Sequence, residues 1–139
     1  MAGAQQFKTD LNETFVIGTD TYFTSILPGG NFGVAFEDDL DTGYFYAIGV
    51  AEDGVVLDAL HIYNVKDVLF RDAPSKICVL WTENGQIAAL LINDYCHAIF
   101  DFYNKEGFCR NGFPENVGNW MQESSRKLTD EKILEIFPK

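Results

Sequence analysis

Short apolar, β-branched and aromatic runs recur along the middle of this chain, and each is cut by Gly, Asn or Asp. That punctuation restricts the fold to antiparallel β structure more tightly than any other feature. The clearest instance is Lys76–Thr82, then Glu83-Asn84-Gly85, then Gln86–Ile92. Asn-Gly favours the positive φ angles of a tight hairpin turn. Earlier, Phe32, Val34 and Phe36 alternate with smaller or polar residues, so one face of that strand is apolar. Asp38–Thr42 is turn chemistry, Gly43 can supply positive φ, and Tyr44–Ile48 resumes as a strand. Thr14–Gly18, Thr21–Ser25, Val55–Tyr63 and Tyr95–Phe102 complete seven or eight short strands, and Asn104-Lys105-Glu106-Gly107 turns the chain again before Phe108. The fold class expected is mainly β (α+β): an antiparallel sandwich or roll. Gln86–Ile92 is apolar on both faces, which suits a central strand covered on both sides.

The ends differ from the middle. Residues 1–13 are polar and are expected to be a loose end or a first edge strand. A β-rich core is expected over 14–113 and a helical segment over 114–139, all within one domain of 139 residues. Pro114–Glu123 is predicted helical. Thr129 can cap a last helix, with Asp130 and Glu131 in its first turn. Ile133, Leu134 and Phe137 give that helix an apolar stripe to lay on the sheet.

Charge narrows the partner classes. Residues 1–65 hold ten carboxylates and one basic residue, Lys8, whereas residues 66–139 hold eleven carboxylates and nine basic residues. The formal net charge is −11. Binding to a nucleic-acid backbone needs Lys and Arg clusters, which the sequence lacks. Anionic membranes are disfavoured for the same reason. A basic protein partner, such as a toxin domain, fits the charge best, and plain solubility competes with it. No apolar run approaches the ~20 residues of a membrane-spanning helix. The N-terminal order is not that of a signal peptide, so a cytoplasmic location is expected. Three cysteines, Cys78, Cys96 and Cys109, have neither an even count nor close ligand spacing, so reduced structural thiols are expected.

The densest acidic stretch is the first hairpin: Glu37, Asp38, Asp39 and Asp41, followed by Tyr44 and Tyr46 on one side of the next strand. These six form the expected partner-binding surface, since carboxylates meet Lys and Arg while tyrosines supply contact area at low entropic cost. A calcium loop is echoed by Asp39, Asp41 and Gly43, but its twelfth position is Val50 and strands flank it. No metal or cofactor is expected. An alternative site uses the two histidines: His97 and Asp101 share a face by period-two alternation, and His61 shares one with Tyr63. Such a set could act as acid and base in phosphodiester cleavage, yet no cationic cluster is placed to hold a phosphate. Cys96 and His97, being adjacent, point to opposite faces and cannot pair. Gly29-Gly30-Asn31-Phe32-Gly33 lacks the lysine and helix of a phosphate-binding loop, and Trp81 and Trp120 suit a core.

Three segments carry a resemblance: Val34-Ala-Phe-Glu-Asp-Asp-Leu-Asp-Thr-Gly-Tyr-Phe-Tyr-Ala47, Ala59-Leu-His-Ile-Tyr-Asn-Val65, and Ala88-Ala-Leu-Leu-Ile-Asn-Asp-Tyr-Cys-His-Ala-Ile-Phe-Asp-Phe102. They resemble the small bacterial family catalogued as domain of unknown function 2251, over residues from about 14 to 114. The resemblance implies a bacterial source and brings no activity or catalytic residues with it. The expected function is therefore a non-catalytic acidic binding domain, in its sharpest form an immunity-type inhibitor of a basic toxin such as a nuclease. A small enzyme or ligand-binding domain, and a structural or oligomerising module, are the alternatives.

Overall fold

The computed structural model describes residues 7–114, 120, 122 and 124–137. Nine strands form two antiparallel sheets. The five-stranded sheet has the order β1 (Phe7–Phe15), β6 (Ser75–Thr82), β7 (Ile87–Ile92), β8 (Tyr95–Asp101), β9 (Glu106–Cys109). The four-stranded sheet is a sequential meander of β2 (Thr21–Ile26), β3 (Phe32–Asp38), β4 (Thr42–Gly49) and β5 (Val55–Asn64). Among the described residues one α-helix, α1 (Asp130–Ile136), follows.

The two sheets meet face to face. Inward residues of β3–β5 (Val34, Phe36, Phe45, Leu60) and of β6–β8 (Ile77, Val79, Trp81, Leu90, Phe100) make one buried core. Phe45 stacks on Phe100 across it, with centroids 5.1 Å apart. Burial of such side chains contributes about 1.5–3 kcal/mol each, which is why the apolar alternation fixes the pairing of the sheets. Trp81 and Trp120 are both buried, as core aromatics should be. Central strand β7 is apolar on both faces for a visible reason. Ala88, Leu90 and Ile92 face the core, whereas Ala89 faces a second cluster with Ile99, Phe108 and Leu128, packed by Ile133, Ile136 and Phe137. So α1 covers the outer face of the five-stranded sheet. Ile136 rather than Leu134 completes its stripe; Leu134 is exposed. Thr129 does cap it, its Oγ1 accepting from Lys132 N at 3.1 Å.

Of the loose end and the first edge strand expected at the N-terminus, the edge strand forms from Phe7: β1 pairs with β6 and is seated by Phe7 on Phe137, centroids 5.0 Å apart. The strand expected over Thr14–Gly18 stops at Phe15, because Gly18 takes φ +89° and Thr19 N bonds back to Val16 O. The helix expected over Pro114–Glu123 falls mostly outside the described residues. The sheets also touch along both edges: β1 runs beside β2, and β9 beside β5.

Candidate functional site

The hairpin β3–β4 sorts its four carboxylates by strand alternation. Phe36 and Asp38 point inward, Glu37 outward. Asp38 is fully buried. Its carboxylate accepts from Gly18 N at 2.7 Å, Leu40 N at 2.9 Å and the Tyr63 hydroxyl at 2.6 Å. Asp38 therefore leaves the expected partner surface: its oxygens close the end of the core. Asp39 and Asp41 are exposed at the tip. Asp39 Oδ1 accepts from the amides of Thr42 (2.8 Å) and Asp41 (3.0 Å), and these hold its carboxyl below the ordinary carboxylate range. Among the described residues there is no group of three or more His, Cys, Asp or Glu placed to hold a metal ion.

The outward face of β2–β5 is a set of cross-strand rows. The pairing places Tyr22, Glu37, Tyr44 and His61 in one row, and Thr24, Ala35, Tyr46 and Ala59 in the next. Tyr44 and Tyr46 stack, with centroids 6.0 Å apart and planes 13° apart. Tyr46 donates to Glu37 Oε1 at 2.9 Å. Burial, then that carboxylate, pushes the Tyr46 hydroxyl well above its ordinary range, so it stays a donor. Tyr44 meets His61 edge-on at 5.4 Å, and His61 meets Phe113 at 5.9 Å. The helix lies on the other sheet, so this aromatic face has no covering element among the described residues.

The alternative site does not assemble. His61 is held on β5 between Asn64 Oδ1 (3.0 Å to Nε2) and Asn111 Nδ2 (2.7 Å to Nδ1), so both ring nitrogens are engaged. His97 lies on β8, in the other sheet, against Tyr95. Burial, aided by the Arg110 charge, pushes its pKa down to about 4. Asp101 does not orient it: two strand residues four apart are separated by ~13 Å along the chain even on a shared face. The Asp101 carboxylate instead accepts from Asn104 N and Nδ2, at 3.0 and 2.8 Å. Tyr63 does not share the His61 face either. A register shift between Gly43 and Tyr44 leaves Ile62 without a partner and turns Tyr63 inward, onto Phe36 and Asp38. Gly43 is required there, since a Cβ would fall 2.6 Å from the Tyr63 ring. The cysteines are free thiols; burial pushes Cys96 up to about 11 and Cys109 upward too.

One feature has no local signal in the sequence. Asp58 of β5 and Arg126 form a buried ion pair, at 0% and 2% side-chain exposure. Burial pushes the Asp58 carboxyl up and the guanidinium opposes it. Asp58 Oδ1 and Arg126 Nε and Nη1 have no further partner among the described residues. The pair lies across Gly107, whose missing Cβ leaves room for both.

Residues 15–137 match a family described as "Uncharacterized protein conserved in bacteria (DUF2251)". The match runs beyond residue 114 and takes in α1, so it extends further than the segments that carried the resemblance. A protein of Haemophilus influenzae (strain ATCC 51907 / DSM 11121 / KW20 / Rd), described as "Uncharacterized protein", is 42% identical over 109 residues, covering 76% of this chain and 68% of its own length. No solved structure matches the chain.

Proposed function

The chain belongs to the bacterial DUF2251 family, and from that premise we propose that it is a non-catalytic domain whose acidic hairpin and tyrosine face bind a cationic protein. One observation carries this reading. Exposed Asp39 and Asp41 stand at the rim of a sheet face that no element among the described residues covers, on which Tyr46 bonds Glu37 and stacks on Tyr44. Ordered tyrosines bring contact area at small entropic cost, and carboxylates at the rim steer a positive surface into place. The net charge of −11 extends that steering over the molecule.

In its sharpest form the partner is a basic toxin and this chain its immunity-type inhibitor. A nuclease must be cationic to hold phosphates, which gives an anionic blocker a fast route to it. The test is co-purification from the source bacterium at low and at high salt, with the wild type and with Asp39→Asn/Asp41→Asn. A basic protein recovered at low salt, released by high salt and held less well by the double variant supports the reading. Recovery of no basic protein, or retention that ignores salt, overturns it.

A further inference from the structure

The end of the sandwich that carries the acidic hairpin also carries the β5–β6 connection. Val65 N donates to Asp41 O at 2.9 Å, and Arg71 Nη1 donates to Val65 O at 2.9 Å, so the two loops are tied together. A cavity of about 430 Å³ between them is lined by Leu40, Thr42, Asn64 and Lys66 among others. On this end stand three large apolar side chains with little cover: Leu40 is 55% exposed, Leu69 79% and Phe70 90%. Two of them also carry backbone strain. Leu40 has φ +81° and Phe70 φ +56°, a region bulky residues rarely occupy. The fold gains almost nothing from the Phe70 ring, yet holds it out from a tethered loop.

We propose that Leu40, Leu69 and Phe70 are the apolar anchor of the partner surface, inserted into an apolar pocket on a cationic protein while Asp39 and Asp41 pair with Lys or Arg around that pocket. This rests on the reading above and names where its affinity resides. Interface energy concentrates in a few central apolar or aromatic groups ringed by polar ones, the arrangement at this end. Within the β5–β6 loop Lys66 and Arg71 balance Asp67 and Asp72, so the sign of this end is set by the hairpin tip. Charge selects the occupant. A second copy of a chain at −11 is repelled, and so is an anionic lipid surface.

The experiment places a photo-crosslinking benzoylphenylalanine at position 70, or 40, of the full chain in the source bacterium. Position 103 is the control: Tyr103 is 74% exposed and adjoins Phe102, which stacks on Phe32 at the opposite end of β3. The expected result is one basic protein joined at 70 and 40 and not at 103. With that protein purified, Phe70→Ser should weaken binding at least tenfold at fixed salt and leave the salt dependence unchanged. Asp39→Asn/Asp41→Asn should flatten the salt dependence. Crosslinks only to a second copy, sedimentation with phosphatidylcholine–phosphatidylglycerol vesicles through Phe70, equal adducts at 103, or no adduct at all would each overturn the anchor. If Phe70→Ser binds as the wild type while the double Asn variant binds weakly, the anchor fails and the acidic surface stands. If neither change matters, both fail.

Discussion

Asp38 and Asp39 are neighbours with opposite duties. Asp38 is inside, satisfying Gly18, Leu40 and Tyr63; Asp39 is outside, holding its own turn. The period that puts Val34 and Phe36 on the apolar face carries on to Asp38, so its burial was legible in the alternation. Its charge pointed the other way, and burial is tolerated because the Gly18 and Leu40 amides and the Tyr63 hydroxyl, 25 residues distant, all donate to its oxygens. Asp38→Ala leaves a half-buried phenol and two backbone amides without their acceptor, and is expected to cost about 2–4 kcal/mol of stability. Asp39→Ala should cost much less, since its partners can turn to water. Urea unfolding of the two variants decides the point: equal midpoints would mean that Asp38 is not structural.

The elements whose boundaries the sequence marked chemically appear where expected. Asn84-Gly85 makes the β6–β7 turn, with Gly85 at φ +72°, and Thr129 starts α1. Bulges are another matter, because a single unpaired residue leaves the composition of a strand unchanged. On β8, Leu90 pairs with Ala98 but Leu91 with Cys96, so His97 has no partner on β7. On β5 a comparable shift turned Tyr63 inward. Both slips fell inside the proposed histidine face, which is why that site looked plausible in sequence and came apart in space. The β8 bulge holds His97 half-buried, with a pKa near 4 against an ordinary 6.5. A depressed histidine is neutral in the fold and charged in the unfolded chain below pH 6.5, so its stabilising contribution is full above that pH. That contribution is lost as pH falls from about 6.5 towards 4. Thermal unfolding should therefore show Tm dropping over this window in the wild type and less steeply in His97→Gln. Parallel curves would refute the assignment.

At the scale of the molecule the sequence disclosed two layers and a covering helix, and it concealed what closes them. Asp58 and Arg126 are 68 residues apart, and no local pattern links them. Arg126 N-terminal to α1 also hydrogen-bonds through its carbonyl to Cys109 N, so this short stretch ties the C-terminal segment to β9 and β5 together. Arg126→Met strands a buried carboxylate and is expected to cost about 3–5 kcal/mol. Asp58→Leu/Arg126→Met should recover most of that loss, because an apolar pair needs no solvation. Chemical denaturation of the single and double variants measures it; additive losses would mean the two residues act independently. The contact of the sheets along both edges has a consequence for the chain in a crowded solution. An open β edge is a template on which another molecule can extend the ladder, the first step of fibril growth. Here β1 is interrupted by a register shift between Thr9 and Leu11 and carries the charges of Lys8, Asp10 and Glu13, and β9 is flanked by β5 and the Arg126 stretch. A protein that displays bare leucine and phenylalanine at one end thus keeps its strand edges guarded, and can offer sticky side chains without offering a seed for aggregation.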